Sequence, residues 1–260
     1  MSRLVVLTLV LLLGAAAGAP AQTTQQLLRL DPPRDVVQPG MLMANGPARC
    51  TANFMFDGTG DLRGRHYLGT AAHCVDDRVG TPVLDHAGRR IGAVAFTGFP
   101  YATYADDWAF IELDPAVFDR SSPALAGHPA LPTGLLPAQA GAAGDRLQLP
   151  GWGFVTEMTE EGREQRPSVL YANRPRLWFA EAVVSNTDSG GPVVHLPTGG
   201  ALGSVSNYGV PLPLTQSGGF EPGGTAYGPG TAGVLEEAAR RGITLRLRTA
   251  AQGPPSPPAG

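Results

Sequence analysis

The chain has 260 residues, 43% hydrophobic and 16% charged, which allows one large folded domain or two small ones and excludes a solvated, disordered polymer. Its net charge is −3 and all 19 basic residues are scattered arginines, so no basic stripe exists to bind nucleic acid. High counts of Gly (35) and Pro (25) fit an all-β chain with many turns.

Residues 1–21 read as a secretory signal peptide, with Arg3 as the positive start, an apolar run from Leu4 to Leu13, and Ala19-Pro20-Ala21 as a small-residue cleavage site. The run is short for a bilayer span and nothing longer follows, so the expectation is export without stable membrane insertion, to the extracellular space or periplasm. An uncleaved anchor is the alternative. Export gives meaning to Cys50 and Cys74, the only two cysteines, which an oxidising compartment would join. Chain entropy over the roughly two dozen residues between them gives about 3 kcal/mol for that bond. Two free buried thiols are the alternative there.

Residues 22–45 are polar and punctuated by Pro, as in a surface arm or a removable pro-segment. From Cys50 the chain turns to short apolar runs broken by Gly, Asp and Pro. Residues 50–56 read as a strand, Asp57-Gly58-Thr59-Gly60 as a hairpin turn, and 65–69 as the returning strand. Residues 90–96 and 108–113, rich in Val, Ile and aromatics, predict further strands. Residues 115–143 are rich in Pro, Ala and Gly and predict a linker between two halves, about 46–130 and about 140–230. Strands are predicted at 146–153, 193–195 and 201–207. Residues 231–241 form the one predicted helix, with Thr231 as N-cap, Glu236 and Glu237 following, and Gly242 as its stop. One folded domain over 46–247 and a Pro-rich, disordered tail at 248–260 complete the expected organisation. No repeat of solenoid period occurs.

Three stretches carry the chemistry. In Thr187-Asp188-Ser189-Gly190-Gly191-Pro192, two glycines suit a tight turn that presents a serine, although such a stretch alone is common in ordinary turns. Gly69-Thr70-Ala71-Ala72-His73-Cys74 supplies a base among small residues, and Asp106-Asp107-Trp108-Ala109-Phe110-Ile111 supplies an acid. A serine hydroxyl needs a neighbouring base to become a nucleophile. Imidazole suits that task at neutral pH, and a buried carboxylate fixes its tautomer. Ser189 is therefore the candidate nucleophile and His73 the general base and acid; Asp107 is the orienting acid, preferred over the fallback Asp106 by the family resemblance given below. His66, His86, His128 and His195 lack comparable context and read as ordinary strand or turn residues. No His-Glu-x-x-His and no calcium-spaced ligand cluster occurs, so neither metal nor cofactor is expected. An α/β-hydrolase elbow would need Gly where Thr187 stands, and both that fold and subtilisin run their triads in other chain orders.

The order His, Asp, Ser in these motifs resembles the chymotrypsin-like (trypsin-fold) serine proteases, in their bacterial secreted form, over roughly residues 45–245. Gly151-Trp152-Gly153 resembles the family's Gly-Trp-Gly, and Pro229-Gly230 before the helix resembles its closing strand. The Cys50–Cys74 pair matches the disulfide the family places beside its histidine. The resemblance implies an all-β fold of two antiparallel six-stranded β-barrels with a C-terminal α-helix and a cleft between the barrels. It implies a monomeric endopeptidase acting on protein or peptide substrates through an acyl-enzyme. It implies an oxyanion hole from the N–H groups of Thr187 and Ser189. Val183 falls at the base of the pocket for the side chain before the cleaved bond, where it would favour a small or apolar group, and Ser206 opens the substrate-binding edge strand.

The departures from the family are specific. Thr187 replaces a Gly, and a β-branched residue resists positive φ. Ser185 replaces the cysteine that braces the pocket, and Asn207-Tyr208-Gly209 stands where Trp-Gly is usual. No Ile-Val-Gly-Gly-like start occurs, so Asp188 needs a partner other than a new N-terminal amine. These departures motivate a second reading, a weak or inactive protease-fold binding protein with an impaired oxyanion hole.

Overall fold

The computed structural model describes residues 37–45, 48–75, 78–100, 102–125, 131–151, 164–182, 184, 186–208 and 225–250. The signal peptide, residues 22–36, His128, Trp152, Gly153, Val183, Ser185, Gly209 and residues 251–260 of the tail lie outside them. Among the described residues no helix is long and apolar enough to cross a membrane.

The first half of the chain supplies β1 (Leu42–Asn45), β2 (Ala48–Thr51), β3 (Met55–Gly58), β4 (His66–Thr70), β5 (Pro82–Asp85), β6 (Arg90–Thr97) and β7 (Ala109–Leu113). The second supplies β8 (Gly134–Leu135), β9 (Arg146–Gly151), β10 (Glu164–Asn173), β11 (Leu177–Glu181), β12 (Pro192–His195), β13 (Gly200–Ser204), β14 (Asn207–Tyr208) and β15 (Thr225–Pro229). Two sheets result, in spatial order β16-β3-β4-β7-β6-β5-β1-β2 and β14-β15-β11-β10-β9-β12-β13-β8, where β16 is Leu245–Leu247 near the C-terminus. All pairings are antiparallel except β13 with β8. The all-β architecture agrees with the expected class. Among the described residues each sheet counts eight strands where six were expected, in part because short pieces, β16 in the first and β8 and β14 in the second, add to the edges.

Register does the positioning. The pairing Thr70↔Ala109 sends the chain after β4, toward His73, and the chain before β7, through Asp107, off the same end of the first sheet. The pairing Pro192↔Ser204 does likewise for Ser189, just before β12, and Ser206, just after β13.

Three buried clusters hold these sheets. One lies within the first sheet around Met55, Leu68 and Ile111. A second lies within the other sheet around Leu147, Leu170 and Trp178. The third joins the two through Phe54, Trp108 and Phe110 from the first half and Val194, Ala201 and Val234 from the second. Trp108 of that third cluster directly follows Asp107 in the chain.

Several elements differ from expectation. The predicted strand over 50–56 is interrupted, β2 ending at Thr51 and β3 starting at Met55. The start of the predicted linker is a helix, α1 (Pro115–Leu125). Asp114 accepts from the N–H groups of Val117 and Phe118 at 2.8 and 3.1 Å, and Pro115 occupies the first turn, where its missing N–H costs nothing. Val117, Phe118 and Ser121 face inward at helical spacing. The Asp-Pro pair was the available signal, masked by surrounding Pro and Ala. The second helix, α2 (Thr231–Arg240), lies as predicted, with Gly230 rather than Thr231 at the cap and Gly242 (φ +81°) just beyond its end. After it the chain returns to the first half, where β16 pairs with β3 at Leu245↔Gly58.

Candidate active site

His73 lies in a 3-10 turn, Ala72–Cys74, directly after β4. Cys74 is bonded to Cys50 of β2, which ties that turn to the neighbouring strand. The His73 ring donates from Nδ1 to Asp107 Oδ2 at 2.7 Å, and its backbone N–H donates to Oδ1 at 3.0 Å. Ser206 Oγ, from the other sheet, donates to the same Oδ2. An ionised carboxylate only accepts, so these partners fix the Nδ1–H tautomer of His73 and leave Nε2 as the basic nitrogen.

Asp107 is 2% exposed. Burial alone would push its pKa up. The hydrogen bond and the attraction from the His73 ring, with the bonds from Ser206 and the His73 backbone, outweigh burial and hold it below the ordinary carboxylate value. The His73 side chain is one-third exposed, so one edge of this line meets solvent. Asp106, the alternative acid, turns away to Arg176.

Ser189 follows a 3-10 turn, Asn186–Asp188, and is held from both sheets. Its carbonyl accepts from the Thr51 N–H at 2.8 Å, and the next residue, Gly190, donates to Val205 at 2.6 Å. Cys74 Sγ lies 3.5 Å from the Ser189 carbonyl oxygen and 3.7 Å from His73 Nε2, so imidazole, disulfide and serine meet at one place. Cys50, His73 and Cys74 bring ligand-type atoms within 4.8 Å of one another, but the two sulfurs are bonded together and offer no thiolate.

Gly190 is the hinge of this arrangement. Its φ is +83°, and a Cβ there would stand 2.3 Å from Thr70 Oγ1 and 2.4 Å from the Thr51 carbonyl. Both atoms belong to packed strands that have little room to move. Gly190→Ala is therefore expected to destabilise the fold by about 3 kcal/mol or more. Urea unfolding measures this, and an unchanged midpoint would mean that the turn is not held as described.

The strain anticipated at Thr187 is absent. Among the described residues Gln139 (φ 65°) is the one non-glycine with positive φ. Thr187 instead sits within the 3-10 turn, whose φ values a β-branched residue adopts readily. The Thr51 hydroxyl donates to the Thr187 carbonyl at 2.7 Å and holds it there. Asp188 is buried at 3% exposure.

His66 and His195 are occupied elsewhere. His66 donates to Asp57 at 2.9 Å and stacks on Phe118. His195 is buried between Asp145 and Thr198, both at 2.9 Å.

Neither a protein-family model nor a curated protein matches the chain. Solved structures do match. Protease A of Thermobifida fusca aligns with a TM-score of 0.53 and 19% identity, covering 82% of this chain and 99% of its own. A glutamic acid specific serine protease, described as using a histidine triad in substrate binding, gives the same score and identity over 82% and 100%. An alpha-lytic protease homologue, N4, gives 0.50 and 20% over 82% and 100%.

The fold is chymotrypsin-like.

Within the chymotrypsin-like fold the chain brings together four of the residues singled out from sequence: His73, Asp107, Ser189 and Ser206. Ser206, expected at the substrate strand, also bonds the carboxylate of Asp107. Sequence reasoning missed Thr51 and Arg176, since neither belongs to a motif and each acts through a partner more than 60 residues away.

Proposed function

We propose that this protein is a secreted serine endopeptidase. Ser189 Oγ attacks the scissile carbonyl while His73 Nε2 takes its proton. His73 then gives that proton to the leaving amine, the acyl group remains as an ester on Ser189, and water activated by His73 releases the acid. Asp107 keeps the imidazole oriented and stabilises its cationic form. The observation that carries the reading is the hydrogen-bonded line from Ser206 through Asp107 to His73, beside the Gly190 turn that holds Ser189.

The protease domain of this proposal spans 46–247, its substrates are proteins or peptides, and its working form is a monomer. The disulfide supports an extracellular or periplasmic location. A small or apolar side chain before the cleaved bond is proposed from Val183. A glutamate preference like that of the second neighbour is not proposed, because the apolar side chain of Val183 offers no donor or positive charge to a carboxylate.

The 3-10 turn through Thr187 favours a second reading. An oxyanion hole needs the N–H groups of Thr187 and Ser189 aimed outward at one point, whereas the i→i+3 pattern of a 3-10 turn over Asn186–Asp188 turns the Ser189 N–H back toward the Asn186 carbonyl. A protein resting permanently in this turn would bind partners without turnover. Intact-mass labelling with a fluorophosphonate decides between the two. Endopeptidase function predicts one adduct on wild type and none on Ser189→Ala or His73→Ala. A folded wild type that takes no label, with labelling switched on by Thr187→Gly, would establish the binding protein instead.

A further inference from the structure

Asp107 is placed by irregular backbone, not by a strand. It follows a single 3-10 turn, Tyr104–Asp106, and its own φ −80° and ψ 66° are those of an inverse γ-turn. The Trp108 N–H closes that turn by donating to the Asp106 carbonyl at 2.9 Å. A one-turn segment has little cooperativity of its own, so its geometry depends on what it is fastened to.

The fastening runs to the other sheet. Asp106 receives the guanidinium of Arg176 on Oδ1 and the Thr103 hydroxyl on Oδ2 at 3.1 Å. Arg176 sits in the turn between β10 and β11, where Arg174 N–H donates to Leu177 at 2.7 Å and the Arg176 carbonyl accepts from Gly230 at 3.0 Å. The guanidinium therefore stands on backbone secured from two directions. Its Nε is buried without a partner, so the hydrogen bond to Asp106 is what orients the group. On the opposite side Gly98 lets the Asp106 carbonyl approach closely, since a Cβ there would stand 1.9 Å from that oxygen. Asp106 is gripped by both its side chain and its backbone, and Asp107 follows rigidly.

We propose that Arg176 is a positioning residue for the candidate triad: by holding Asp106 from the other sheet, it fixes the γ-turn that presents the Asp107 carboxylate to His73. The inference rests on the endopeptidase reading of Ser189, His73 and Asp107. It also assigns the two neighbouring acids separate tasks, one to orient the imidazole and one to anchor the loop. The ion pair is partly exposed, 42% on the arginine and 15% on the aspartate, so it adds little to stability. Its loss acts through geometry, where an error of about 1 Å can cost on the order of a hundredfold in rate.

The test uses Arg176→Ala, Arg176→Lys and Asp106→Asn in the full chain. Arg176→Ala should lower kcat about tenfold or more with KM within about twofold and Tm nearly unchanged, and Arg176→Lys should recover most of the loss. A second readout needs no turnover: the low-field proton resonance of His73 Nδ1–H, recorded in Ser189→Ala protein. It should broaden or vanish when Arg176→Ala is added. An unchanged kcat or an unchanged resonance overturns the proposal. So does a kcat loss that merely follows Tm while the resonance persists, because a scaffold role explains that outcome. If wild type neither hydrolyses nor labels, the endopeptidase reading fails and the resonance still decides the role of Arg176. If Arg176→Ala does not fold, Asp106→Asn makes the same comparison with the loop's volume preserved.

Discussion

Ser189→Ala is expected to lower turnover of a peptide amide by about a millionfold, and His73→Ala by a similar factor. The double variant should lose hardly more than either alone. Removing the serine leaves no oxygen to acylate. Removing the imidazole leaves a hydroxyl whose proton has nowhere to go, and the attack stops at the same point. Two residues performing one step cannot each contribute a separate barrier, so their effects do not add. The geometry behind this expectation is the meeting of His73 Nε2, the Cys50–Cys74 disulfide and the Ser189 backbone within 4 Å steps of one another. The check is steady-state hydrolysis of a chromogenic peptide by all four proteins, matched for folding by circular dichroism. Single-variant losses that multiplied in the double variant would point to a different nucleophile.

Asp107→Asn carries the second large effect, a fall in kcat of about ten-thousandfold near neutral pH. An amide has nearly the volume of the carboxylate but can turn an NH₂ toward His73. The ring would then present Nε2–H to Ser189, the wrong tautomer for a base. The fixed acceptor pattern around Asp107 makes this concrete, since it receives His73 twice and Ser206 once and has no spare donor role.

Two pH dependences separate here. Activity should rise from acidic toward neutral or mildly alkaline pH, because His73 must be neutral to accept the proton. Stability should respond lower on the scale. Asp107 is held below its ordinary pKa in the fold, so its contribution is complete above about pH 4, the unfolded value, and is lost as pH falls through the depressed folded value. Activity profiles and urea midpoints measured between pH 3 and 8 test both. A midpoint insensitive to pH below about 4 would contradict the depressed Asp107, and an activity optimum near pH 4 would contradict the role given to His73.

The chemistry-bearing residues were legible because each stands in a short stretch whose composition has a local cause. Gly190 follows Ser189 because the turn needs φ of +83°, and Ala71 and Ala72 precede His73 where both are buried against packed neighbours. Strands β6 and β7 were legible from Val, Ile and aromatic runs, β4 as the strand returning from the turn after Asp57, and α2 from its terminal Gly242. Helix α1 was hidden by the prolines and alanines that made residues 115–143 read as linker. Strand β16 was hidden because only three residues pair with β3 across most of the chain. No local signal marks so distant a partner.

By itself, then, the sequence determined the all-β class, the candidates Ser189 and His73 with an acid at 106 or 107, and the pairing of the two cysteines, since each depends on residue type and near neighbours. Only the tertiary structure decided which of two adjacent aspartates meets the imidazole, what the other one does, and how Thr187 avoids strain. Those outcomes depend on Arg176, Ser206 and Thr51, brought in from distant parts of the chain. Hydrogen bonds reach about 3 Å whatever the sequence separation, so the groups that orient a side chain become known only once the sheets are packed.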